Sequence, residues 1–253
     1  MPNPWDAGTA RLLTHLGFEA LATTSAGYAF ARARSDAPGS LTRHEILANA
    51  AEIVAATDLP VSADLQDGFG VAPDCCAETI RQACDIGLVG GSIEDATGDP
   101  AAPIRDPDLA VERIQAAAEA ARGRPFLLTA RAENFLFDRP DLNDTIRRLR
   151  AFATAGAHVL YAPGLPDLDA IRAVCASVDK PVNVVIGLKE PGYTVAELSD
   201  AGVRRISVGG SFARAALGAV MRAAEEVRDC GTFGYAAEAI SGPEVDRIMR
   251  GRD

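Results

Sequence analysis

The chain has 253 residues, of which 48% are hydrophobic and 24% charged, with a net charge of -10 at pH 7 and five cysteines. That length suits a single (β/α)8 barrel of roughly 250 residues; the acidic balance leaves no basic stripe for nucleic acid, and no apolar run reaches the ~20 residues of a membrane span. The start, Met1-Pro2-Asn3-Pro4-Trp5, lacks the regions of a secretory signal and the cysteines have no metal-like or paired spacing, so a reducing cytoplasm is expected, with a cation such as magnesium the more natural partner.

Pro2 to Trp5 reads as the end of a strand entered part-way, followed by a helix from Ala7 to Leu16. Gly17 then has the place of a helix C-terminal cap and feeds a strand near 19–24. A helix from Arg43 to Ala56 leads to a strand at 60–64 that opens on Pro60, tolerated there because a first strand residue need not donate. The same two punctuations recur: Asp74 to Asp85 and Gly87 before a strand at 88–93, Asp108 to Arg122 and Pro125 before 125–130, Leu142 to Thr154 and Gly156 before 157–161. Pro181 opens a strand at 181–186, Gly202 precedes 203–208, and a helix runs from Phe212 to Arg228.

This β-then-α alternation predicts a parallel α/β fold, a (β/α)8 TIM barrel over residues 1–228 whose first strand is cut short at Pro2 to Trp5. Residues 229–253 form a tail, helical at Gly242 to Met249, that either frays or packs on a neighbouring subunit. No linker or low-complexity tract marks a second domain.

Three of these strands end on a charged residue: Asp64, Glu94 and Arg131. In a parallel barrel the C-terminal strand ends carry the chemistry, so two carboxylates and an arginine converge on one rim. Alternation along residues 60–66 puts Ser62, Asp64 and Gln66 on one face. Magnesium takes oxygen ligands and is held by one or two carboxylates plus waters, which Asp64 and Glu94 can supply. Arg131 has two readings: an ion-pair partner of those acids, or a bidentate clamp for a substrate carboxylate. Cys75, Cys76 and Cys84 read as helix packing against a redox role. Gly209-Gly210, ahead of Ser211, is either an anion site at a helix start or close packing.

The chain resembles the isocitrate lyase and phosphoenolpyruvate mutase superfamily, including its carboxyvinyl-carboxyphosphonate phosphorylmutase-like branch. The resemblance is carried, in order, by Asn3-Pro4-Trp5-Asp6-Ala7-Gly8, Thr23-Thr24-Ser25-Ala26-Gly27, Leu41-Thr42-Arg43, Ser62 to Gly70, Ser92-Ile93-Glu94-Asp95, Ala130-Arg131 and Arg205 to Gly210. It implies a barrel that exchanges its last helix between subunits, a homodimer or homotetramer, and Mg2+-dependent cleavage or formation of C–C or P–C bonds in small 2-oxo or 2-hydroxy acids through a pyruvate-like enolate. By the same resemblance Asp64 anchors the metal, Glu94 holds it through water, and Arg131 is a catalytic residue that binds the substrate. Ser25, Ala26 and Gly27 offer backbone N–H groups to its carboxylate. Asn183, if it points inward, is a further substrate-binding residue. Asp36, in the stretch Ala33 to Ser40, stands where the mutase branch carries a catalytic aspartate on a gating loop; the alternative is a solvated loop acid.

Two departures narrow the reaction. Gln66 stands where many members have a second aspartate, removing a charge from the metal's surroundings. Residues 95–107 contain no Cys, Lys or His, so the acid segment of isocitrate and methylisocitrate lyases is missing, and only Thr97 is left of the polar groups used for C–P chemistry there. The expected activity is therefore a Mg2+-dependent C–C lyase, with C–P mutase or hydrolase chemistry, or a non-catalytic 2-oxo acid binder, as alternatives.

Overall fold

The computed structural model describes residues 1–188 and 192–251. Seven strands form one parallel sheet in sequence order: β1 Leu21–Ala22, β2 Val61–Asp64, β3 Gly90–Glu94, β4 Leu127–Arg131, β5 Val159–Tyr161, β6 Val182–Val185 and β7 Arg205–Ser207. The eighth position is taken by Met1 to Asn3. The Ala22 N–H donates to Pro2 O on one side (3.0 Å), and the Met1 ammonium donates to Ile206 O on the other (2.8 Å). The Asn3 side chain completes the seam, donating to Thr23 O and accepting from the N–H groups of Val208 and Gly209. Residues 1–3 thus bridge β1 and β7 and leave the barrel nearly closed.

The predicted punctuation is visible in the backbone. Gly17, Gly87, Gly156 and Gly202 all have φ between +84° and +108°, the left-handed conformation in which a helix can end and turn into a strand without a Cβ clash. Pro60 and Pro181 precede β2 and β6, and their carbonyls accept from Leu21 and Leu160, so only the missing N–H is lost. Along β2, Val61 and Ala63 are buried against the helices, while Ser62 and Asp64 face the barrel interior.

The helices are α1 Ala7–His15, α2 Ser25–Ala31, α3 Arg43–Ala55, α4 Pro73–Asp85, α5 Pro107–Ala120, α6 Leu142–Thr154, α7 Leu168–Ser177, α8 Val195–Asp200, α9 Ser211–Cys230 and α10 Gly242–Arg250. A single apolar core lies between them and the sheet, with Leu21, Leu128, Leu149, Phe152 and Leu160 among its buried members. Helix α9 is different: of its 20 residues only Ala213 is buried, and Leu217, Val220 and Met221 stand in solvent on one stripe. Helix α10 lies against α1 of the same chain, where Arg11 donates to Met249 O and Arg247 reaches His15.

Two helix arginines fasten the loops below the functional rim. Arg113 on α5, 1% exposed, donates to the carbonyls of Asp67, Gly70 and Val71 after β2. Arg148 on α6 reaches Asp95 Oδ2 at 3.2 Å and the Arg105 carbonyl at 2.9 Å, holding the segment after β3.

Candidate active site

The strand register assembles the site. Glu94 lies beside Arg131, and Arg131 beside Tyr161, across three neighbouring strands; Asp64 pairs with Ser92, one strand further. The Arg131 guanidinium contacts Asp64 Oδ1 at 3.4 Å, Glu94 Oε2 at 3.3 Å and Glu133 Oε1 at 2.6 Å, and its Cζ lies 4.9 Å from the centre of the Tyr161 ring. Asp64 is held in turn by the Ser25 hydroxyl (2.7 Å), and the Asp64 N–H donates to the Thr23 hydroxyl.

Three carboxylates face one guanidinium, so a fully ionised site carries an excess of two negative charges. Burial raises Glu94 well above the ordinary carboxylate range, and the charges of Glu133 and Asp64 reinforce it against the pull of Arg131. Burial also raises Glu133. Burial alone would lower Arg131, but Glu133, Glu94 and Asp64 outweigh it and hold the guanidinium firmly charged. Glu133 is fully buried, and its Oε2 has no hydrogen-bond partner among the described residues.

A divalent cation would neutralise that excess, and the oxygen donors present are of the kind magnesium takes. Among the described residues no group of three or more His, Cys, Asp and Glu forms a metal cluster.

The other expected residues fall at graded distances from this centre. Ser25 and Ala26 line the cavity above Asp64 as the first turn of α2, with the Ser25 N–H 3.4 Å from Asp64 Oδ2. Gly27 does not line it: its N–H is used by the Thr24 cap, and a Cβ there would meet Thr24 Cγ2 at 2.8 Å and Trp5 Cβ at 2.9 Å. Gly27 is where α2 packs closely on the first segment and on Ala213.

Asn183 does point inward, but it is 1% exposed, and both ends of its amide are engaged. Its Nδ2 donates to Ser207 Oγ at 3.1 Å and its Oδ1 accepts from Arg205 Nε at 2.9 Å, below the cavity floor. Asp36 lines the cavity mouth on the α2–α3 loop; partial burial and the charge of Asp64 raise its carboxyl, the direction a proton donor needs. Thr97 lines the mouth too, but its hydroxyl donates to Ala102 O at 2.6 Å within its own loop.

Sequence reasoning overlooked Glu133 and Asp95. Glu133 follows Arg131 by two residues and so shares its face, a parity signal that was available. Asp95 lies beneath the rim, accepting from the Glu133 N–H at 2.9 Å; burial, outweighing Arg148, raises it to about 7. Gln66 adopts φ +49°, and Phe69 φ +61°, so the turn after β2 carries backbone strain beside the site.

The rim surrounds a cavity of about 1190 Å³. Comparison with known proteins gives a consistent picture. A family model described as phosphoenolpyruvate phosphomutase matches residues 1–228. A Burkholderia cenocepacia J2315 structure, provisionally assigned as a lyase or mutase, superposes with a TM-score of 0.96 at 56% identity, covering 100% of this chain and 91% of that one. A 2,3-dimethylmalate lyase structure superposes with a TM-score of 0.87 at 27% identity, covering 98% of this chain and 88% of that one. An uncharacterised protein of Mycobacterium tuberculosis (strain ATCC 25618 / H37Rv) is 32% identical over 230 residues, 90% of this chain and 84% of that protein.

Proposed function

The chain belongs to the phosphoenolpyruvate mutase/isocitrate lyase superfamily, and from that premise we propose that it is a Mg2+-dependent carbon–carbon lyase acting on a small 2-oxo or 2-hydroxy carboxylic acid. The observation that carries this reading is the set of three carboxylates around Arg131, an acidic excess matched to a divalent cation at the C-terminal rim of a parallel barrel.

Asp64 and Glu94 are the residues that would hold magnesium, which when bound supplies Lewis-acid polarisation of the substrate oxygens. Glu133 anchors the Arg131 Nε, so that Nη1 and Nη2 stay turned towards the two metal-holding acids, where a substrate carboxylate would meet them. Tyr161 supports the guanidinium from its face. Ser25 fixes one oxygen of Asp64, and Asp36, at the mouth and protonated more readily than a free aspartate, would deliver or accept a proton.

C–P bond chemistry is a second reading, favoured by the matched family description. The Thr97 hydroxyl, engaged inside its own loop, weighs against it. In either case α9, projecting with its apolar stripe, is the element through which a second copy would pack to give a dimer or tetramer.

The test follows pyruvate release from 2-methylisocitrate, 2,3-dimethylmalate and oxaloacetate, oxalate release from oxaloacetate, and pyruvate or phosphoenolpyruvate formation from phosphonopyruvate, each with and without Mg2+. Release from a carbon acid that is abolished by chelator and lowered about 100-fold or more in Asp64→Ala is the expected result. Turnover of phosphonopyruvate alone would shift the reading to C–P chemistry. Mg2+-dependent binding of oxalate without any turnover would leave a 2-oxo acid binder.

A further inference from the structure

The cavity has two chemically different sides. Ser25, Asp64, Glu94, Arg131 and Tyr161 make its polar floor. The end of β6 and the loops after β4, β5 and β6 make a wall of Leu136, Phe137, Leu165, Val185, Ile186 and Leu188. In the eight-position barrel, β6 stands four positions from β2, so much of this wall faces Asp64 across the opening.

Among the described residues, the side chains of this wall carry no charge, and the cation nearest to it is Arg214, on the Leu188 carbonyl. Among the described residues, the cations lining the cavity are Arg105, Arg131 and Arg214. Arg105 is bound to Asp67 at 2.6 Å, and Arg131 is surrounded by its three acids. Arg214 sits at the rim, exposed, with Nη1 on the Leu188 carbonyl. A second carboxylate or a phosphonate seated on Leu165, Val185 and Ile186 would lose its water without gaining a charged partner among the described residues. Leu136 and Leu188, by contrast, are 53% and 37% exposed at the mouth, apolar surface that a ligand would cover. The volume also exceeds what a three- or four-carbon acid needs, lying above the ~300–1,000 Å³ range of ordinary ligand pockets.

We propose that the substrate is a monocarboxylic 2-oxo or 2-hydroxy acid whose substituent beyond the reacting carbon is uncharged and apolar, a branched alkyl or aryl group seated on the wall formed by Leu165, Val185 and Ile186. This rests on the oxo-acid reading of the polar floor and adds the identity of the part of the substrate that the floor does not touch.

Calorimetric titration with Mg2+ present tests it, using oxalate, pyruvate, 4-methyl-2-oxopentanoate, phenylpyruvate, oxaloacetate and phosphonopyruvate. Each methylene buried on the wall is worth about fourfold in affinity. The expected result is that 4-methyl-2-oxopentanoate and phenylpyruvate bind at least about 10-fold tighter than pyruvate, and tighter than oxaloacetate and phosphonopyruvate. Ile186→Ser and, separately, Leu165→Ser, which also touch the core and so lower the melting temperature, should remove most of that advantage while oxalate affinity of the still-folded variants stays within error, a pattern that general misfolding does not produce. Tighter binding of oxaloacetate or phosphonopyruvate overturns the inference and leaves the polar floor intact, as does an alkyl advantage unchanged in both serine variants. A dicarboxylate preference lost in Arg214→Gln would locate the second carboxylate at the rim and overturn it likewise. Failure of oxalate and pyruvate to bind at all overturns the oxo-acid reading, and the inference with it.

Discussion

Glu133 Oε1 lies 2.6 Å from Arg131 Nε, closer than either of the strand-end acids Asp64 and Glu94 comes to the same guanidinium. The contact that fixes Arg131 is therefore made from behind the rim, by a fully buried carboxylate whose second oxygen has no partner among the described residues.

Glu133→Gln should keep the shape of that contact while removing its charge. Arg131 would then be drawn more strongly to Asp64 and Glu94, in competition with the metal, and the orientation of its Nη groups would loosen. The expected outcome is a turnover loss of about 10- to 100-fold, with a larger effect on kcat than on KM, as for a group that positions another. Equal kcat in the variant and the parent would show that Asp64 and Glu94 suffice to hold Arg131.

Arg113 gives a stability prediction outside the chemistry. It is 1% exposed and donates to three carbonyls of the strained turn after β2, those of Asp67, Gly70 and Val71. Arg113→Met retains much of the apolar stem and leaves these acceptors unsatisfied, at about 1–3 kcal/mol for each buried one. A loss of about 3 kcal/mol lowers Tm by about 6–12 °C in a chain of this size. Calorimetry showing less than 2 °C would mean that water replaces the guanidinium there.

Cys76 is 0% exposed, and burial pushes its thiol up to about 11 from 9.0. The folded state thus resists ionisation that the unfolded chain undergoes near pH 9. Stability associated with this thiol is complete below pH 9 and is lost as pH rises towards 11, by about 2–3 kcal/mol in all. Urea midpoints between pH 8 and 10.5 should fall less steeply in Cys76→Ala than in the parent. A thiol reagent at pH 8 should modify the exposed Cys230 in the native protein and reach Cys76 only on unfolding. Rapid native labelling of Cys76 would contradict this assignment of the residue to packing.

Much of this fold was legible because its strands are announced by residues with a single physical role: Gly17, Gly87, Gly156 and Gly202 accept the left-handed turn, and Pro60 and Pro181 need no donor. Asp64, Glu94 and Arg131 were legible for the same reason, as charges at the ends of apolar runs. Helix α2 was not, since Ser25-Ala26-Gly27 reads as a loop, and the Thr24 cap that starts it is a weak signal before so short a helix. The engagement of Asn183 by Arg205 and Ser207 depends on contacts 22 and 24 residues away, which no local pattern encodes. The apolar wall is likewise gathered from the end of β6 and three separate loops and exists only in the folded barrel.

The last prediction concerns α9. Leu217, Val220 and Met221 are 48%, 66% and 62% exposed, and their spacing of three and four residues puts them on one stripe of a 20-residue helix. An apolar stripe of this kind is costly in water and is ordinarily covered in an assembly. Because α9 starts at Ser211, next to the cavity-lining Gly209 and Gly210, a second copy packed on it would also brace the rim beside Ser25 and Ala26. The parent protein should therefore sediment as a dimer or tetramer at micromolar concentration. Val220→Glu combined with Met221→Glu should yield monomers, lower activity about 10-fold or more, and leave the far-ultraviolet circular dichroism unchanged. A parent that sediments as a monomer across the micromolar range, with turnover independent of concentration, would show that the stripe is not an interface between copies of this chain.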